Sequence, residues 1–520
     1  MNRRLLFQAA ALASLLSAAG PALAQTAQNS PAPSNAPPSQ HVSSSRHAEE
    51  AAAAQASRGQ TSGAAQTPKT LELLNTPDLQ VQAHVQAGVN LVAERNLFWN
   101  FAQTVAGNSD YDPDKNWLEG YIKPGLSFSR NLEGETLYGA ASFVASGTRG
   151  TDAFDARNTG RVTVEELYLG LRSDRAEWGN VDLSFGAREF TAGTGMLIAN
   201  GGSSGFTRGA LKLGPRKAWR IAGLAKFSHK RITGTGFFLD PNEAPDNDTG
   251  THIAGFDLRY DDTSARYLGA TLGKVVASRA SYPKAAPNGI GPPSIIPDAR
   301  DGLEFLDIYS RFSPPSGPLA DAWIAAELAL ERNDRIDLEA WGGRIEVGYS
   351  FSKVPWRPQI AYIYQTFSGD NPKTAKNERF DPLYYEGNPD AWSTGSKSSM
   401  VFINSNVNAS QIMVRAFPTS RDTLTLRVAS IGANQRLSPI QFGQATRLVI
   451  EDGIAQPIAG VLRKHLADDW YLEYQRMITP NIYLTAGLSA SKAGSGIKSI
   501  VPDEKHPLWN GGYINVIINY

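Results

Sequence analysis

From residue 81 to the end, the chain keeps returning to segments of roughly ten residues in which apolar and polar side chains alternate. Leu167, Leu169 and Leu171 alternate with Glu166, Tyr168 and Arg172, and Val181, Leu183, Phe185 and Ala187 with Asp182, Ser184, Gly186 and Arg188. Phe256, Leu258 and Tyr260 stand against Asp257 and Arg259, and Ile345, Val347, Tyr349 and Phe351 against Arg344, Glu346 and Ser350. The pattern returns around Ile412, Leu424 and Ile482. Period-two alternation puts one set of side chains on each face of a strand. About eighteen such segments fit between residue 81 and the C-terminus, with 204–213 the weakest of them, and an even number suits a closed single-chain barrel.

The connections carry a second pattern. Tight ones (131–134, 214–217, 261–263, 418–420, 479–481) are interleaved with long ones (93–117, 147–161, 233–250, 278–302, 369–408, 433–466, 490–509). Short turns at one end and long loops at the other are what a transmembrane barrel requires, and a soluble sandwich has no reason to keep that order. Helical periodicity is nearly absent. The one helix-like stretch, 322–330, also fits a strand through Ile324, Ala326, Leu328 and Leu330. The expected fold is all-β: a transmembrane antiparallel β-barrel of about 18 strands.

The ends agree with export to an outer membrane. Arg3 and Arg4, the apolar stretch 5–19 and Ala22-Leu23-Ala24 read as a signal peptide over 1–24. Residues 25–70 are rich in Ala, Ser, Gln and Pro and nearly free of large apolar side chains, so they are expected to form a disordered periplasmic tether ahead of the barrel at 71–520. No later run is long and apolar enough for a helical span. A mean hydropathy of -0.30 is no obstacle, because lumen and lipid faces cancel within each strand. With Cys 0, the chain has no disulfides, cysteine nucleophile or thiolate metal site. Lys+Arg 50 against Asp+Glu 50 gives no bias towards nucleic acid. Residues 510–520 alternate Ile514, Val516 and Ile518 with Asn515 and Asn519 and stop on Tyr520, which resembles the C-terminal assembly signal of bacterial outer-membrane barrels.

Catalysis finds little support. Gly201-Gly202-Ser203-Ser204-Gly205 matches the letters of a nucleophile elbow, but that motif needs a helix after the serine and a strand is expected here. The 7 histidines, His229 and His252 among them, are scattered without triad or metal-ligand spacing. Asp110, Asp112 and Asp114, or Asp240, Asp246 and Asp248, could clamp calcium, but both runs lack the glycine and distal glutamate of a calcium loop. No other cofactor is expected. Strand parity sends Arg172, Arg188, Arg259, Arg311, Arg344, Arg415 and Arg427 into the lumen, together with Glu166, Asp182, Asp257, Asp307 and Glu346. Guanidinium groups lining a pore favour anions, and interspersed acids keep binding weak enough for release; the same residues can also brace neighbouring strands.

Residues 165–171 (EELYLGL), 182–198 (DLSFGAREFTAGTGMLI), 208–220 (RGALKLGPRKAWR) and 380–388 (FDPLYYEGN) resemble the alginate-export family of outer-membrane porins. The resemblance implies a monomeric eighteen-stranded barrel with a basic lumen that passes an anionic polyuronate, partly gated by loops. Phe380, Asp381 and Pro382 are then the gating-loop candidates. The tether and the long 433–466 connection look like additions to the family pattern. The expected function is passive transport of an anionic polysaccharide or small acidic solutes across the outer membrane of a Gram-negative bacterium. A general diffusion porin and an outer-membrane barrel hydrolase are the alternatives. Expected partners are outer-membrane lipids, the barrel assembly machinery and periplasmic secretion components.

Overall fold

The computed structural model describes residues 71–100, 111–175, 179–263, 265–291, 293–385, 392–395, 402–440, 447–451, 454–458, 460–499 and 505–520. The expected leader (1–24) and tether (25–70) lie outside these residues, as does Asp110. The staves are β1 (Leu79–Arg95), β2 (Lys115–Leu132), β3 (Glu135–Gly150), β4 (Gly160–Arg175), β5 (Gly179–Arg188) and β6 (Trp219–His229). Next come β7 (Ile232–Asp240), β8 (His252–Thr263), β9 (Arg266–Ala277), β10 (Glu304–Phe312), β11 (Ala322–Asn333) and β12 (Leu338–Ser350). The last are β13 (Gln359–Phe367), β14 (Val407–Ala416), β15 (Asp422–Ala433), β16 (His465–Thr479), β17 (Ile482–Ala493) and β18 (Trp509–Asn519).

Each stave pairs antiparallel with its sequence neighbours, and β18 closes on β1 from Gln86↔Asn519 to Arg95↔Asn510. The result is a closed barrel of 18 strands. A short leading strand, Leu71–Asn75, pairs with β1 just beyond the point where Tyr520 and Val85 exchange backbone hydrogen bonds of 2.6 and 2.9 Å. That strand covers the stretch of β1 that β18 is too short to reach.

The outward set of every stave is apolar and exposed: Leu167, Leu169 and Phe185, Leu258, Ile345 and Val347, Ile412, Leu426, Leu488 and Ile514. Trp341 and Trp470 face outward near the long-loop end, and Tyr260, Phe312 and Trp356 near the short-turn end. An apolar belt between aromatic girdles is the exterior that a bilayer requires. The inward set is polar at the short-turn half. At the long-loop half it meets a packed core that includes Trp99, Leu197, Trp219, Phe380, Trp392 and Trp509.

That core corrects one sequence expectation. Residues 204–213 do not form a stave, and 214–217 is not a turn between strands. Both belong to a long connection, 189–218, that folds into the bore. The loop expected over 233–250 begins only at 241, because β7 runs to Asp240.

Candidate functional site

Two connections meet inside the long-loop half of the bore. The 189–218 loop leaves β5 and reaches across to β11, where the Thr194 hydroxyl donates to both Glu327 oxygens at 2.6 Å. It then returns along β1 to β4. Lys212 pairs with the buried Glu94, and the Lys212 and Leu213 amides donate to Glu119 at 2.8–3.1 Å. The Lys217 and Ala218 amides donate to Glu165 at 2.7 and 2.9 Å. Glu165 faces inward beside Glu166 because β4 bulges there, as the register steps from Ser142↔Glu166 to Phe143↔Val164. Arg216 is fully buried and donates to Thr163, Ser146 and the carbonyls of Val144 and Arg161. Burial, with Arg208 alongside, brings its guanidinium down to about 10.

The 368–406 loop meets this one inside the bore. Tyr384 donates its amide to the Leu197 carbonyl at 2.8 Å, and its own carbonyl accepts from Ala199 and Asn200 at 2.8 and 3.0 Å. The Trp392 indole donates to the Thr194 hydroxyl at 3.0 Å. The expected gating residues of this loop are anchors rather than a free tip. Phe380 is fully buried against Phe367, with ring centroids 5.3 Å apart. Asp381 accepts from Arg300 (Nη2 at 2.6 Å) and from the Tyr282 hydroxyl at 2.6 Å, its amide donates to Glu331 at 2.8 Å, and Pro382 is buried beside it. Burial opposes the Arg300 charge, but contact with Asp381 and Tyr282 outweighs it and holds the guanidinium above its ordinary value.

The seven arginines and five acids expected in the lumen stand at register positions that alternate with the outward apolar set, in three main groups. On β2–β5, Arg188 lies 4.4 Å over the Tyr168 ring and donates to Ser184, and Asp182 accepts from the Tyr138 hydroxyl. Glu166 sits 3.3 Å from Lys123, and Arg172 lies opposite Asp182 in the register. On β8–β11, Arg259 stacks 4.0 Å over Tyr267 and pairs with Asp261 at 2.8 Å. Asp257 accepts from Thr271 and Tyr309 at 2.6 and 2.9 Å, and the buried Asp307 lies beside Glu327. Arg427 is buried on the inner face of β15.

The third group borders open space. Arg311, Arg344 and Arg415 line a cavity of about 410 Å³ in the short-turn half of the lumen, with Glu346 and Trp323 between them. Glu346 is 2.8 Å from Arg344 and 3.8 Å from Arg311, and accepts from the Trp323 indole at 2.8 Å. Arg311 lies over the Trp323 ring and Arg344 over the Trp392 ring, each at 5.2 Å. An aromatic face holds a guanidinium by its plane and leaves its N–H edge to an incoming carboxylate. The second acid on this wall, Asp321, leaves an excess of positive charge.

The Ser204 side chain is fully buried in the 189–218 loop and not presented at a turn. His252 stacks on Phe238 and stands 3.9 Å from Asp240, at the long-loop end of β8. Asp114 accepts from the Asn96 amide and Asp112 from the Asp114 amide, and no group of three or more metal-binding side chains occurs among the described residues. Parity could not find Lys212, Arg216 or Arg300, which lie on loops, whereas Lys123 shares the inward parity of Glu119 and Tyr121 on β2 and was missed. A signal was present in 208–217, where Arg208, Lys212, Arg216 and Lys217 crowd into a stretch too basic for a lipid-facing strand.

The closed ladder and its apolar belt decide the location. The chain is an outer-membrane β-barrel. A scan against protein-family models gives no match, and a search of curated proteins gives none. Among solved structures the barrel is similar to OccK5 (OpdH) of Pseudomonas aeruginosa, with a TM-score of 0.49 and 8% identity over 84% of this chain and 97% of that one. It is also similar to a BenF-like porin from Pseudomonas fluorescens Pf-5, with a TM-score of 0.46 and 10% identity over 85% and 98%. A third is the outer membrane protein opdK of Pseudomonas aeruginosa, with a TM-score of 0.46 and 10% identity over 84% and 98%. At these values the likeness decides nothing about what passes through the bore.

Proposed function

We propose that this barrel is a passive channel for acidic solutes. The observation that carries the proposal is the cavity walled by Arg311, Arg344 and Arg415, the first two lying over aromatic rings and flanking Glu346. Three cations against two acids attract a carboxylate. The acids also keep the attraction shallow, as conduction requires.

The resemblance to alginate exporters suggests a uronate as cargo. The packing of Tyr384, Trp392, Leu197 and Trp219 across the bore favours uronate monomers or short oligomers over a continuous polymer. A polymer would need the two inner loops to part along their whole contact. Phe380, Asp381 and Pro382 serve as the fixed root of the 368–406 loop, and gating falls to its contact with the 189–218 loop.

Single-channel recording in planar bilayers tests the reading, with a uronate monomer, a oligouronate and a neutral oligosaccharide of matched size. Wild type should prefer anions, and the uronate monomer should interrupt the current. Replacing Arg344 and Arg415 by Gln should reduce the preference severalfold while the barrel still folds. Unchanged selectivity in that variant refutes a solute-binding role for the cavity.

A further inference from the structure

One sector of the exterior wall differs from the rest. A groove of about 1350 Å³ runs along a single register row, from Leu424 through Tyr474, Ala486, Ile514, Leu91 and Leu118 to Arg149. The row crosses the closure between β18 and β1. Its floor includes the small residues Ala93, Ala486 and Gly512 between the larger Leu91, Leu118, Leu488 and Ile514. Strands tilt in a barrel, so a row perpendicular to them climbs the wall. This one climbs from Leu424, near the short-turn end of β15, to Arg149 at the long-loop rim.

The rim above the groove gathers arginines. Several cations elsewhere on the rim are neutralised: Lys274 by Glu304 at 2.7 Å, Arg332 by Asp334 at 2.7 Å, Lys376 by Glu339 at 2.9 Å and Arg220 by Asp240 at 2.7 Å. Arg149 and Arg157, both exposed at the groove's upper end, form no ion pair among the described residues. Arg95 beside them donates, among the described residues, to the carbonyls of Glu94 and Lys115 and to the Asn116 side chain. Lys115 is already paired with Asp155. Asp112 and Asp114 share the upper end, but each accepts a backbone N–H, and three guanidinium groups outnumber them.

We infer that this groove binds one phosphorylated, acylated lipid of the outer leaflet, the lipid A portion of lipopolysaccharide. An acyl chain lies in the groove over Ala93, Ala486 and Gly512, and the phosphate meets Arg149, Arg157 and Arg95. The acyl chain fills a depression that would otherwise be packed loosely, and the guanidinium groups supply bidentate donors at headgroup height. The inference is independent of what the lumen conducts.

Native mass spectrometry of the full chain, delipidated in detergent, tests it with three probes: bisphosphorylated lipid A, the same lipid after dephosphorylation, and phosphatidylethanolamine. Wild type should retain one bisphosphorylated lipid A and neither of the others. Replacing Arg149 and Arg157 by Gln should weaken retention on the order of tenfold or more. Ala486→Phe, which fills the groove, should also weaken it, and Arg332→Gln, at a paired rim site, should not. Equal retention of the dephosphorylated lipid, or indifference to both groove variants, overturns the inference. The chain contains no cysteine, so Ala93→Cys gives a clean handle on the remaining occupant. Disulfide dimers of that variant in native membranes would assign the groove to a second copy and also overturn it.

Discussion

Glu119 holds the 189–218 loop against the wall with one carboxylate. It accepts the Lys212 and Leu213 amides and the Trp117 indole, the last at 2.7 Å, in a fully buried position. Glu119→Ala orphans two backbone N–H groups, and each orphan costs about 1–3 kcal/mol. The expected result is a lower Tm together with larger and noisier single-channel steps as the loop leaves the bore. A variant that loses stability but conducts as before would show that this loop does not limit the current. At this scale the sequence was legible wherever parity governs, because a strict period of two leaves an inward arginine no other face to occupy. It was illegible at Glu165, where a bulge adds a second inward residue in succession, and at Lys212 and Arg216. Their partners, Glu94, Thr163 and Ser146, lie far away in sequence, and no local pattern joins them.

The staves could be read because each needs an apolar exterior, and that demand is written every second residue. The loop over 189–218 could not. Leu211 and Leu213 alternate like a strand, yet the backbone amides at Lys212 and Leu213 go to a glutamate side chain and not to a neighbouring ladder. Sequence shows the alternation and is silent on which acceptor takes the N–H. A third element, the loop between β7 and β8, reaches the crossing point through Glu243, which accepts from the Tyr384 hydroxyl at 3.2 Å and from Thr249. Burial pushes the Glu243 carboxyl up to about 7, against the hydrogen bonds from Thr249. A carboxyl raised on folding favours its protonated state. Its contribution is therefore complete below the ordinary value of 4.5 and is lost as pH climbs through about 7. The loops should hold together more tightly at about pH 5 than at about pH 8, giving lower conductance on the acid side. Glu243→Gln, neutral at every pH, should flatten that difference, and a slope surviving in the variant would place the titrating group elsewhere.

Closure is a property of the whole chain, because no stave pair stabilises the barrel until β18 has found β1 across more than four hundred residues of sequence, a slow, non-local pairing. The exterior tolerates little error. Ile412 faces lipid with 54% of its surface exposed, and Ile412→Lys should cost about 2–4 kcal/mol if it lies near the bilayer midplane. Urea unfolding in phospholipid vesicles measures that cost, and a negligible change would mean that this face does not see hydrocarbon. The seam is more exacting still. Ending the chain before β18 leaves the ladder edges of β1 and β17 unpaired in a medium without water to satisfy them. The inner loops cannot compensate, since Trp509, which packs on Trp99 with centroids 5.4 Å apart and donates to Glu94 at 3.1 Å, leaves with the strand. The truncated chain should therefore fail to give the compact, heat-sensitive band of a folded barrel on an unheated gel, while the full chain gives it. If the truncated chain still ran as a compact band and conducted, neighbouring staves would be closing the cylinder without the seam.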